Sequence, residues 1–391
     1  MSGLVILLAI FLSVYGAVHL YLLIKLRRAY YLEGPGYVLL FVVLAYLMLA
    51  PIHASILESQ GYSILALVSA WIGYCWMGLL FIFLCLALPI DAYHLFMSAL
   101  QSIANADLTH LMLSRRQSFT FAAAATLIVA LYGAFEAQQI HIEQVTLHSP
   151  KIPPALERIR IVQISDLHLG PMMFPARVVP IAEAAKAARP DLLVCTGDLV
   201  DGRIYQPNVI EQLLLSIPAP LGKFAVTGNH EFYFGIEKAK TFIQQAGFTL
   251  LQGESRLIKD ALCVVGVDDP TGGKKENAVE SAVLAQQPKD RFTLLLKHRP
   301  VVEKTSLGRF DLQLSGHTHG GQIFPFGLVL KWRYPMGHGL HELNSQSKIY
   351  ISRGSGCWGP PLRVLAPPEV TIIDLLPANT PSQLKKTGGK N

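Results

Sequence analysis

Arg160-Ile161-Val162-Gln163-Ile164-Ser165-Asp166-Leu167-His168 is a short apolar run that stops on two metal-capable groups. Such a run, bounded by polar turn residues, reads as a buried strand. The same event recurs along the chain. Leu192-Leu193-Val194-Cys195 runs into Thr196-Gly197-Asp198, and Lys223-Phe224-Ala225-Val226 into Thr227-Gly228-Asn229-His230. Leu295-Leu296-Lys297 ends on His298, and Leu314-Ser315-Gly316 leads to His317-Thr318-His319. Helical patterns separate the first runs, near 177–188 (stopped by Pro190) and 207–215. Strands alternating with helices predict an α/β layered domain. A strand over 140–148 precedes them. Later strands near 262–267, 292–297, 311–314, 348–352 and 369–374 fall closer together, as in a mixed sheet. Ligands of α/β sheets sit beyond the strand ends. The pattern therefore predicts one rim that collects the Asp, Asn and His side chains named above.

The front third of the chain is a different object. Of the 60 charged residues among 391, only 10 fall in residues 1–136, and these balance to zero: Lys25, Arg27, Arg28, Arg115 and Arg116 against Glu33, Glu58, Asp91, Asp107 and Glu136. The net charge of +6 therefore comes from the back part. No Lys/Arg run points to nucleic acid. Four apolar stretches, roughly 3–24, 37–57, 63–89 and 118–136, reach the ~20 residues that a bilayer crossing needs. A cleaved signal peptide would account for one of them, not four. Basic residues mark the cytoplasmic side of short loops. All five fall on one side if the N-terminus is outside, and four crossings then leave the large domain extracytoplasmic. His19, His53 and His94, in or beside the spans, are expected in packing or interfacial roles. The spans hold no internal charged pair, which disfavours a transporter. The five cysteines make no closely spaced set, so neither a disulfide scaffold nor a thiolate zinc site is expected.

Carboxylate, imidazole and amide oxygen without thiolate suit borderline-hard divalent ions: Mn, Fe or Zn, with Ni and Co also admitted. Asp-x-His and His-x-His each let two ligands face inward from one loop. Two ions ~3.5–4 Å apart can clamp a phosphoryl group and make water nucleophilic at neutral pH. Asp198, behind a glycine at a strand end, is the best candidate to be shared between them.

In order and type, Asp166-x-His168, Gly197-Asp198, Gly228-Asn229-His230, His298 and Gly316-His317-Thr318-His319 resemble the calcineurin-like metallophosphoesterases over roughly residues 140–376. The wording SDLHLG, GNHEFY and SGHTHGGQ is similar to a membrane-anchored branch with several N-terminal spans. The resemblance implies a four-layer αββα sandwich, here preceded by an all-α bundle of about four transmembrane helices. The domains would be an anchor at 1–136, a phosphoesterase domain at 137–376 and a loose tail at 377–391. It further implies that Asp166, His168 and His319 hold one divalent ion, and Asn229, His298 and His317 a second, with Asp198 bridging. His230 would contact the phosphate and protonate the leaving oxygen. Purple acid phosphatases, cousins in the superfamily, carry a tyrosine ligand three residues after the bridging Asp. This chain has Asp201 there, so a tyrosinate-iron centre is not expected, and Asp201 either holds a histidine from behind or only shapes the turn. Glu231 is the candidate to orient His230.

The resemblance implies a membrane-anchored dimetal phosphoesterase that uses metal-activated hydroxide. Its substrate is a phosphoester or pyrophosphate, with lipid-linked and envelope molecules among the candidates. Two alternatives remain open: a general phosphodiesterase acting on soluble nucleotides, and a non-catalytic metal-binding membrane sensor. Arg363 is a candidate for the anionic part of the substrate, since guanidinium suits phosphate. His338 and His341 are expected to be structural. Residues 323–334 mix aromatic and aliphatic side chains with two cations, a lipid-interface composition, directly after His319. They either rest on a bilayer at the mouth of the site or pack on the anchor or core.

Overall fold

The computed structural model describes residues 2–273 and 276–378. The tail expected over 377–391 lies, from residue 379 onward, outside the described residues. The chain gathers into two compact units, one of residues 1–137 with 359–365 and one of 138–358 with the chain from 366 on. Residues 359–365, read from sequence as part of the second domain, thus gather with the helices.

The first unit is built on four helices: α1 (Ser2–Tyr30), α2 (Gly34–Ser59), α3 (Ser63–Ala104) and α4 (Arg115–Glu136). All four are long and apolar enough to cross a membrane. Leu22, Leu44, Leu80, Phe83 and Ala122 pack at its centre, while Leu39, Phe121, Ile128 and Leu131 stay exposed. Outward-facing apolar side chains on long helices are what lipid requires. Helix α3 runs well past the span end expected at 89, because Pro89 lies inside it without ending it. At 1.5 Å per residue it is ~63 Å long, about twice the hydrocarbon thickness. Asn105 ends it in the left-handed conformation. Helix α4 starts three residues earlier than expected, where Ser114 and Gln117 form a reciprocal capping box.

Contacts within this unit put the basic residues at one end. Lys25 Nζ lies 2.5 Å from Asp91, which also accepts from the Tyr21 hydroxyl at 2.6 Å. Arg116 stacks on the Tyr30 ring, and Tyr30 meets Thr120 at 3.0 Å. The Lys25–Asp91 pair sits just beyond the expected span ends, not within the spans. His19 is buried and satisfied, with Tyr15 O at 2.8 Å on one nitrogen and Trp76 Nε1 donating at 2.9 Å to the other. Pro360, Leu362 and Arg363 return to this unit: the first two close on Gly78, and Arg363 N donates to Gly133 O.

The second unit is the expected sandwich. Its strands are β1 (His141–Ser149), β2 (Ile159–Ile164), β3 (Leu192–Cys195), β4 (Lys223–Ala225), β5 (Thr249–Leu250), β6 (Glu254–Ile258), β7 (Leu262–Gly266), β8 (Phe292–Leu296), β9 (Leu312–Ser315), β10 (Gly339–Glu342), β11 (Lys348–Ile351) and β12 (Glu369–Pro377). They form two six-stranded sheets, β1-β12-β2-β3-β4-β5 and β10-β11-β9-β8-β7-β6. Strands β2 to β5 are parallel, as are β7, β8, β9 and β11; β6, β10 and the β12–β2 pair run antiparallel.

Period-two alternation assigns each strand two faces. Ile159, Ile161, Leu192 and Val194 of one sheet meet Val264, Leu294, Leu312 and Leu314 of the other in a shared core. The opposite-facing Val162, Ile164, Leu193 and Cys195 pack under α5 (Pro175–Ala187), α6 (Pro207–Leu215) and α8 (Ile236–Gln245). Between α6 and α8 lies the short α7 (Asn229–Phe234). On the far side α9 (Glu276–Ala285) covers Val265 and Leu295. Both faces of the central strands are therefore buried, which is why they read as unbroken apolar runs.

Candidate metal centre

Strands β2, β3, β4, β8 and β9 all point their C-terminal ends at one rim, and each hands over directly to a candidate residue. Backbone bonds knit these loops together. Asp166 N donates to Gly197 O at 3.0 Å, His168 N to Asp198 O at 2.9 Å, and Gly316 N to His298 O at 2.9 Å. The two sheets meet here as well, since His317 N donates to Asp166 Oδ1 at 2.9 Å. The glycines before the ligand positions are sterically required. A Cβ on Gly316 would lie 2.1 Å from Asp166 Oδ2, and one on Gly228 2.1 Å from Asp198 Oδ1.

Three groups of donor atoms converge: Asp166, His168 and His319; Asp198, His298 and His317; and His168, Asp198 and His230, each with its atoms within 4.8 Å of one another. In the first group His168 Nε2 faces His319 Nε2 at 2.9 Å, and Asp166 Oδ1 is 3.6 Å from the latter. In the second, His298 Nε2 lies 3.1 Å from both His317 Nδ1 and Asp198 Oδ2. The same Asp198 Oδ2 is 3.8 Å from His168 Nε2, so this carboxylate, a member of the second and third groups, also stands next to a histidine of the first. Asn229, between Gly228 and His230, is buried and its Oδ1 has no hydrogen-bond partner.

The donor set fits divalent cations. Imidazole nitrogens turned toward each other can share one proton at most, whereas a cation between them satisfies both lone pairs. Orientation is fixed from outside: His298 Nδ1 is held at 2.8 Å by Thr196 O, which turns Nε2 inward. Behind Asp166, Gln163, Thr196 and Ser165 form a hydrogen-bonded chain ending on its Oδ2. Burial opposes charge on His298, yet the Asp198, Asp166 and Asp269 carboxylates raise it to about 10. Burial and the neighbouring His298 together push His317 down to about 3. The pocket thus demands positive charge but cannot protonate all its imidazoles. Asp166, His168, Asp198, His317 and His319 also all take positive φ, between 50° and 73°. Such conformations cost of order 1–3 kcal/mol each and concentrate at functional sites.

His230 stands beside the cluster. Its Nδ1 bonds the Asp201 carboxylate, whose other oxygen is 3.3 Å from His168 Nδ1. Asp201 therefore hydrogen-bonds His230 from behind and sets its charge beside His168, one of the readings open to it from sequence. Glu231 does not orient His230. Its buried carboxylate accepts from the backbone N–H groups of Gly228 (2.7 Å), Val200 (2.9 Å) and Asp198 (3.1 Å), bracing the two loops that carry Asp198 and Asn229. Residues of adjacent number on a helix point about 100° apart, so proximity in sequence misled here.

Trp358 and Tyr233 edge the His230 ring at 5.9 and 5.3 Å, and Tyr334 meets His317 at 5.4 Å. No spacing signal in the sequence identified these three. His341 Nε2 lies 3.3 Å from the carbonyl of His338. Arg363 is fully buried in the 359–365 segment of the helical unit. The aromatic stretch after His319 holds the short α10 (Phe326–Leu330), with Phe324, Phe326, Leu328, Val329 and Trp332 exposed.

Residues 159–321 match the family model of calcineurin-like phosphoesterases. A protein of Aquifex aeolicus described as an uncharacterized metallophosphoesterase is 38% identical over 252 residues, 63% of this chain and 96% of its own length. A similarly described protein of Helicobacter pylori is 32% identical over 288 residues, 71% of this chain and 76% of its own. A zebrafish transmembrane protein with metallophosphoesterase domain is 28% identical over 269 residues, 64% of this chain and 61% of its own.

Proposed function

Since the chain belongs to the calcineurin-like metallophosphoesterases, a family of metal-dependent phosphoesterases, we propose a specific division of labour within its rim. Asp166, His168 and His319 hold one divalent cation; Asn229, His298 and His317 hold another; Asp198 lies between them. The observation that carries this reading is the position of Asp198, whose Oδ2 is 3.1 Å from His298 of one set and 3.8 Å from His168 of the other. Two such cations, Mn, Fe or Zn by donor type, would polarise the phosphoryl oxygens and acidify water enough for in-line attack at neutral pH. The protein positions them and supplies the proton. With Nδ1 bonded to Asp201, His230 presents Nε2 as the donor for the leaving oxygen.

The helical unit bears on the substrate's location. Lys25 and Arg116 are tied to one end of the bundle, where Arg27 and Arg28 follow Lys25 in α1 and Arg115 opens α4. Chain residue 137 leaves the unit at the far end of α4. By the positive-inside tendency, we place the catalytic domain outside the cytoplasm, acting on a phosphoester or pyrophosphate of a lipid-linked or envelope molecule.

The test is a metal-reconstituted assay with two esters that differ in leaving group. His230→Ala should lose about 10²–10⁴-fold on an alkyl ester, which needs a proton donor, and far less on a nitrophenyl ester. Asp198→Asn should lose both turnover and bound metal. Catalysis that survives both changes would dispose of the mechanism.

A further inference from the structure

The hydrolytic site leaves one feature unused: the exposed apolar side chains that directly follow the ligand loop. Trp332 is 98% exposed, Val329 63% and Leu328 56%, and Phe324 and Phe326 stand out beside them. Lys331 and Arg333 flank Trp332. This is a firmly mounted surface. A Cβ on Gly321 would lie 2.3 Å from both the N and Cα of Gly327, so the start of α10 is pressed onto the residues after His319. At its other end the buried Tyr334 meets the His317 ring. Gln322 bonds the backbone of Trp358 on both sides, at 2.8 and 2.9 Å, and Trp358 edges His230. The apolar residues are therefore carried on the same backbone as two candidate ligands.

The covalent chain limits what can cover this surface. Only residues 137–140 separate the end of α4, long and apolar enough to cross a bilayer, from the first residue of β1. Four residues extend at most ~14 Å, so the first residue of β1 is tethered within that reach of the end of α4. Tryptophan with aliphatic neighbours and flanking cations is the composition of segments resting at the headgroup level, with the cations matching anionic lipid.

We propose that Phe324, Phe326, Leu328, Val329 and Trp332 insert into the headgroup–acyl boundary of the membrane, and that the rim mounted beside them takes amphiphiles whose phosphoester lies at that depth. The substrate class rests on the hydrolase reading; the insertion does not.

Two measurements on the full-length protein in nanodiscs of phosphatidylcholine and phosphatidylglycerol separate them. First, Trp332 emission is taken as the difference between wild type and Trp332→Phe, with and without brominated phosphatidylcholine. Strong quenching and a blue-shifted difference spectrum are expected. An unquenched spectrum typical of water, or one shielded only by a second copy of the chain or another protein, overturns the insertion. Second, the combined variant Phe326→Ser, Leu328→Ser and Trp332→Ser is assayed with manganese on phosphatidyl-p-nitrophenol in the discs and on soluble bis-p-nitrophenyl phosphate. A loss of about tenfold or more on the lipid, with less than twofold on the soluble ester, supports the proposal. Equal losses overturn the substrate class. Wild type inactive on both esters would instead sink the hydrolase reading, leaving the fluorescence to decide insertion.

Discussion

Replacing Glu231 separates a brace from an orienter. Its carboxylate takes three backbone N–H groups, two on one oxygen and one on the other. Glutamine keeps the volume but turns one oxygen into a donor. In the less damaging orientation the amide faces Val200 N, so that bond is lost and two donors oppose each other. Burial and Asp198 raise this carboxyl to about 7, but all its partners are N–H donors, which fit the ionised form. A hydrogen bond to a charged group contributes about 1.5–3 kcal/mol, so Glu231→Gln should destabilise the domain by roughly 2–3 kcal/mol above about pH 7. Domains of this size shift Tm by about 2–4 °C per kcal/mol, which gives a fall of about 4–12 °C. Glu231→Ala abandons all three N–H groups and should fall further. The consequence for the site is loss of register between the Asp198 and Asn229 loops, so bound metal should fall with Tm. The assay is differential scanning fluorimetry of the full chain in detergent, beside metal analysis by mass spectrometry. Were Glu231→Gln to keep its Tm and two bound ions while only the pH profile of turnover moved, the brace would be refuted and an orienting role for His230 reinstated.

Two further outcomes follow from other parts of the molecule. Asp374, buried between β1 and β2, takes both Nε and Nη2 of Arg160, at 2.7 and 2.8 Å. Burial works against its charge, but Arg160 prevails and holds its pKa below the usual value. A lowered folded pKa means stability that is present above the unfolded pKa of about 3.9 and lost as pH falls through the folded one. Asp374→Asn should therefore cost about 2–3 kcal/mol in urea unfolding at neutral pH, with the gap closing only below about pH 4; a gap independent of pH would contradict the pairing. An epitope inserted at the exposed Lys259–Asp260 turn should be reached by antibody in intact spheroplasts; access only after permeabilisation would reverse the proposed sidedness.

The parts legible in the sequence are those set by local rules. Strands β2, β3, β8 and β9 are buried on both faces, so their composition announces them, and the ligands fall at the first residues where the apolar run must stop. The Gly before Asp198, Asn229 and His317 is legible for the same reason, since crowding at the loop crossings leaves no room for a Cβ. What escaped depends on tertiary contact. Asp201 was left between holding a histidine and shaping a turn, because only the fold brings His168 and His230 behind it. Tyr334 reaches His317 from 17 positions away. The apolar run that marks the third span ends at 89, yet α3 continues through Pro89 to Ala104, since a helix surrounded by other helices and lipid tolerates an internal proline. Helix α8 went unremarked, although Ala239, Phe242, Ile243 and Ala246 form a plain helical stripe.

The position of β12 bears on how the protein is made. It lies between β1 and β2, yet among the described residues it is the last strand in chain order and the only strand paired with β1, in nine-residue register from His141↔Glu369 to Ser149↔Pro377. Every candidate metal ligand has been synthesised by residue 319, fifty residues before that strand begins. A nascent or prematurely terminated chain would hold the full set of ligands with β1 detached and the long edge of β2 unpaired, the form most prone to wrong pairing. Nonsense mutations short of residue 369 should therefore yield aggregation or proteolysis rather than a shortened, working enzyme.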